Sequence, residues 1–126
     1  MTEPTWFCIA NHQPDEYYFE EGCYVTELSN SKADAELSIA RIRLPIGQRT
    51  ISHKLNGITE RYYIEDGEGQ MHVGHEQIAV GDGDVVLIPA GVTQWIENTG
   101  SCDLVFLALC TPRFQRDAYV ACAEKA

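Results

Sequence analysis

The chain contains no apolar run long enough to cross a bilayer as a helix. It is also short of positive charge: nine Lys and Arg against nineteen Asp and Glu give a formal net charge of -10. A surface of that sign repels phosphate backbones and anionic lipid, so neither nucleic acid nor a membrane is expected as a partner. Small substrates are not excluded, because a local pocket can differ in sign from the whole. Paired-thiol patterns are missing as well. The five cysteines (Cys8, Cys23, Cys102, Cys110 and Cys122) are odd in number, and no two form C-x-x-C. The opening residues, MTEPTWFCIANHQPDEYY, have no basic start followed by an apolar block, so no secretory leader is expected. A cytoplasmic protein with reduced thiols follows as the expectation, with Cys110, at the end of an apolar run, as a buried small hydrophobe. No internal repeat or low-complexity tract stands out.

What is present fits one domain over residues 1–126: 44% hydrophobic residues and a mean hydropathy of -0.22, in a chain long enough to bury a core without staples. Short β-prone segments are separated every 8–12 residues by Gly, Pro, Asn and Asp, which points to an antiparallel sandwich or barrel. Strands are expected over 23–28, 37–44, the stretch around His53 and Leu55, 60–64, 70–73, the apolar run before Pro89, 92–98 and 103–110. The runs before Pro89 and over 103–110 are continuous enough to suggest burial on both faces. In 37–44, Ala40, Ile42 and Leu44 share one face, while Arg41 and Arg43 share the other and are expected to be solvated. His72 and His75 are expected to be solvated too. Upstream, Trp6–Phe7 and Tyr17–Phe19 suggest an arm laid across the outside. Downstream, 115–126 has helix formers and no Gly or Pro, and a short C-terminal helix is expected there.

Two spacings stand out. In the first, Gly47 is followed by five residues, His53, Lys54, Leu55, four residues, Glu60, six residues and Gly67. In the second, Gly83 is followed by five residues, Pro89-Ala90-Gly91, two residues, Gln94, three residues and Asn98. In this order, the stretch 47–98 resembles the two motifs of the cupin family. The resemblance implies a double-stranded β-helix, or jelly-roll barrel, with a pocket inside. In metal-bearing members two first-motif histidines, the glutamate and a second-motif histidine hold a divalent ion. Carried over position by position, the resemblance implies His53, Glu60 and Gln94 as the ligand set, with Leu55 standing where a second histidine would be. The ion would be Mn, Fe, Zn or Ni, and the chemistry of oxygenase, decarboxylase or isomerase type.

The same residues allow a metal-free alternative. An inward Glu60 among Leu55, Tyr62 and Ile64 would have its pKa raised by desolvation. Beside His53 it could form an acid–base pair, with Gln94 orienting a substrate, or the three could hold a ligand without turning it over. They could also simply satisfy one another in a polar barrel core. Tyr62, Leu55, Ile64, Met71 and Ile96 are the expected pocket lining around a small-molecule ligand. Sheet edges and outward aromatics suggest a homodimer.

Overall fold

The computed structural model describes residues 6–11 and 14–122. Eleven strands form two antiparallel sheets: β1 (Glu16–Phe19), β2 (Cys23–Ser29), β3 (Ser38–Leu44), β4 (His53–Leu55), β5 (Thr59–Asp66), β6 (Gly69–Val73), β7 (Glu76–Val80), β8 (Val85–Ile88), β9 (Gln94–Asn98), β10 (Leu104–Thr111) and β11 (Tyr119–Ala121). One sheet runs β1-β2-β3-β10-β5-β8 and the other β11-β4-β9-β6-β7. Their inner faces meet in one core to which the first sheet contributes Ile42, Leu44, Ile64, Leu104 and Phe106, and the second Met71, Val80 and Ile96. This is the all-β jelly-roll architecture expected from the motif spacing.

Register explains where that core is solid and where it is hollow. Across β3, β10 and β5 the inward residues stand in rows: Ile42, Phe106 and Ile64; then Ala40, Ala108 and Tyr62; then Ser38, Cys110 and Glu60. Large apolar side chains fill the first row, and the last two rows carry small ones on β3 and β10. Side-chain volume therefore falls towards one end of the barrel, and packing cannot close there.

Several expectations need correction. The helix expected over 115–126 is a single 3₁₀ turn, Arg116–Ala118, followed by β11; residues 123–126 lie outside the described residues. Pairing with β4, Tyr119 opposite Leu55 and Ala121 opposite His53, overrides local helix preference. β8 is not buried on both faces. It pairs only with β5 as an edge strand, and Val85 and Leu87 point outward at 65% and 59% exposure. β10 lies inside its sheet, but only its alternate residues Leu104, Phe106, Ala108 and Cys110 are buried. Residues 16–19 of the supposed arm are strand β1, whereas Trp6 and Phe7 are exposed. β7 was not anticipated at all. The arginines of β3 lie at the surface: Arg43 bonds Glu16 and Asp103 and covers Tyr24, and Arg41 faces Glu65. His72 stacks on Trp95, with Arg49 on the ring as well.

The second-motif Asn98 holds the barrel wall together. Its Nδ2 donates to the carbonyls of Leu44 (2.9 Å) and Cys102 (2.8 Å), and its Oδ1 accepts from the Gly100 N–H (2.9 Å). Asn98→Ala strips partners from three backbone groups and is expected to cost about 3 kcal/mol in denaturant unfolding. A loss within experimental error of zero would show that water replaces those bonds.

Candidate functional site

β4, β5 and β9 bring His53, Glu60 and Gln94 together. His53 and Gln94 are paired across β4 and β9, each only 1% exposed. Gln94 Nε2 donates to Glu60 Oε1 at 2.9 Å, and the Cys110 thiol donates to Glu60 Oε2 at 3.5 Å. His53 Nδ1 donates to the Ile51 carbonyl at 2.7 Å, so that when the imidazole is neutral Nε2 is the ring nitrogen without a proton. The ring stacks on Tyr119 of β11, with centroids 5.0 Å apart.

A fourth residue was not anticipated. Glu21, in the turn between β1 and β2, is buried; its Oε2 lies 3.4 Å from His53 Nε2 and its Oε1 accepts from the Cys23 thiol at 3.2 Å. The turn is docked by its backbone, since the Ile51 N–H donates to the Glu21 carbonyl at 2.6 Å. Gly22 makes that docking possible. Its φ is +102°, and a Cβ there would stand 3.0 Å from the Arg49 carbonyl oxygen. No motif marks Glu21; the only local signal is a carboxylate two residues from a strand-opening cysteine.

Glu21 and Glu60 both line a cavity of about 60 Å³ at the hollow end of the barrel, together with apolar residues such as Val25, Ala40 and Ala108 and the polar Glu27, Asn30 and Ser38. Tyr62, Ile64, Met71 and Ile96, expected as pocket lining, instead belong to the solid core; Leu55 packs in a smaller cluster with Ile58 and Cys110. Alternation placed these side chains inward, but cross-strand register decides which inward rows leave space.

Burial governs the electrostatics. It pushes the Glu21 carboxyl up to about 7, the Cys23 hydrogen bond opposing. It also pushes Glu60 up to about 7, with help from Glu21 and against the hydrogen bond from Gln94, the nearby His53 and the thiol of Cys110. Burial lowers His53, against the Ile51 bond and the charge of Glu60. Glu21 Oε2 and His53 Nε2 face each other at 3.4 Å, a carboxyl beside a ring nitrogen.

The metal set implied by the resemblance does not fit this arrangement. Leu55 fills one position and has no donor atom. Both oxygens of Glu60 already accept, one from an N–H and one from an S–H, and Gln94 turns its Nε2 towards that carboxyl. Among the described residues no three His, Cys, Asp or Glu side chains converge to hold an ion.

With this geometry established, the family-level match is clear. The family model described as "Cupin domain" matches residues 40–110. The chain belongs to the cupin family. It is 43% identical over 70 residues to an oxalate-binding protein of Thermotoga maritima, a match spanning 56% of this chain and 58% of that protein's length. It is 31% identical over 103 residues to an uncharacterized protein of Methanocaldococcus jannaschii, covering 80% and 82% of the two. The crystal structure of a predicted oxalate decarboxylase from Thermotoga maritima superposes with a TM-score of 0.72 at 31% identity, over 83% of this chain and 96% of that one. Among the described residues, no helix is long and apolar enough to cross a membrane.

Two outcomes are expected. Gly22→Ala should cost about 2 kcal/mol, from left-handed backbone strain plus the crowded carbonyl. Gly57→Ala, with φ +74° but nothing within 4 Å of the added carbon, should cost less; equal losses in urea unfolding would refute the close approach. The second concerns pH. Glu21 and Glu60 are raised from 4.5 to about 7, so between those values the folded protein holds more protons than the unfolded chain. Stability from these groups is fully present below pH 4.5 and is lost as pH rises to about 7, on the order of 3 kcal/mol for each. His53, being lowered, works the other way and removes stability as pH falls below its ordinary 6.5. The urea midpoint should therefore fall from pH 5 to pH 8, and less steeply in Glu60→Gln. A midpoint that climbs over that interval would mean the carboxyls are ionised in the folded state.

Proposed function

We propose that this cupin binds a small organic molecule in the cavity at the hollow end of its barrel, and that Glu60 and Glu21 exchange protons with it. The observation that carries the proposal is the convergence of two buried carboxyls, from β5 and from the β1–β2 turn, on one space walled mainly by apolar groups. Glu60 is the group that gives or takes the proton. Gln94 and Cys110 hold its two oxygens in place, and His53 stands 3.4 Å behind Glu21. Such a site suits isomerisation, epimerisation or elimination, where one proton moves at a carbon next to a polarised group. The relative named for binding oxalate supports a small-molecule ligand in this barrel.

An ion held by His53, Glu60 and Gln94 would compete for Glu60 with the hydrogen bonds from Gln94 and Cys110. Elemental analysis of protein purified without added metal is expected to find less than about a tenth of an equivalent of Mn, Fe, Zn or Ni, with no uptake on soaking. A stoichiometric ion lost in Glu60→Gln would overturn the metal-free proposal. Glu60→Gln is also expected to weaken a ligand bound in the cavity by about tenfold, near 1.4 kcal/mol, while Arg41→Ala on the outer surface leaves its affinity unchanged.

A further inference from the structure

The cavity's wall is one-sided in charge. It carries three carboxyls (Glu21, Glu27 and Glu60), and among its described lining there is no lysine, arginine or histidine. Three aromatic residues, Tyr17, Phe19 and Phe114, line both the cavity and an adjoining outer groove, so they frame its opening. Phe114 is fixed there from two sides: its N–H donates to Ser38 Oγ at 2.8 Å and its carbonyl accepts from Asn30 Nδ2 at 2.9 Å. Two arginines line the groove. Arg113 is bonded to Asn30 at 2.9 Å and Arg116 to Glu20 at 2.7 Å. The Arg116 guanidinium also lies over the Phe19 ring, 5.0 Å from its centroid, so the aromatic rim already attracts a cation.

An anionic ligand would find no basic side chain in this lining to balance its charge, and every carboxyl that is ionised would repel it. The oxalate named for the Thermotoga maritima relative is therefore a poor match to this wall. A cation finds the reverse: aromatic faces at the entrance, carboxyl oxygens at the base and hydrocarbon between. We infer that the ligand of this cavity is a small aliphatic amine, bound as its ammonium ion, with its N–H groups on Glu60 and Glu21 and its carbon chain against Val25, Ile42 and Ala108. This rests on the proposal above that the cavity is the ligand site.

The test uses three probes of matched size: n-propylamine, n-propanol and propionate, with oxalate as a fourth. Each is titrated into the isotopically labelled full chain at constant pH and ionic strength, with backbone amide shifts as the readout. The expected result is that propylamine shifts the resonances of residues 21, 60, 108 and 110 with at least tenfold higher affinity than propanol or propionate, and that Glu60→Gln and Glu21→Gln each reduce this affinity tenfold or more. Two variants are used because one may fold poorly. If propionate or oxalate moves the same resonances more tightly than the amine, the ligand class is overturned while the cavity stands as the ligand site. Equal binding of the amine and the alcohol likewise overturns the role given to charge. If no probe moves those resonances, the amine assignment falls, and with it the support for the cavity as the ligand site.

Discussion

Taking two carboxyl groups out of water is the constraint under which this barrel is built. An isolated buried carboxylate is costly, and the fold meets that cost by supplying donors and by letting the groups hold protons. Each glutamate has its own buried thiol, Cys23 for Glu21 and Cys110 for Glu60. Each also has one further polar neighbour, His53 or Gln94. The sets come from both sheets and from the β1–β2 turn, so the polar cluster exists only when the barrel is closed. The weakest acids of the cluster, the two thiols, are pushed still higher by burial and remain S–H donors.

Much of the scaffold was legible in the chain. Turns and alternation, being local properties, gave most of the strands, and the resemblance carried by the glycine-framed spacings over 47–98 gave the jelly roll and pointed to His53, Glu60 and Gln94. What stayed hidden was set by tertiary pairing. Glu21 reaches the site only because its turn docks on Ile51, an arrangement with no signature in the residues 20–22 themselves. β11 is a strand because β4 offers it an edge, although its residues could equally make a helical turn. The position of the hollow was missed for a similar reason. Inward-facing residues such as Ile64, Met71 and Ile96 can be found by counting twos, but which row is empty depends on the sizes of their partners on β3 and β10.

The comparison with relatives separates fold from chemistry. Membership of the cupin family rests on the stretch 40–110 and on identity shared with proteins from two other sources, Thermotoga maritima and Methanocaldococcus jannaschii. Yet Glu21, Tyr17 and Phe19 lie outside that stretch, as does Phe114, and all four line the cavity. The part of the chain that defines the family builds the wall, and the flanking segments supply much of the chemistry presented to a ligand.

The graded rows of β3 and β10 carry one more implication. The apolar row at the solid end and the small-residue rows at the hollow end share neighbours as well as strands: Tyr62 packs on Phe106 with ring centroids 4.3 Å apart, and Ile42 also lines the cavity. Substitutions at Ala40 or Ala108 reshape the chamber and are also felt by Ile42, Phe106 and Ile64, which pack in the same cluster. Drift in binding preference is thus mechanically tied to the integrity of the shell, and a change in what the chamber recognises carries a packing consequence in the core.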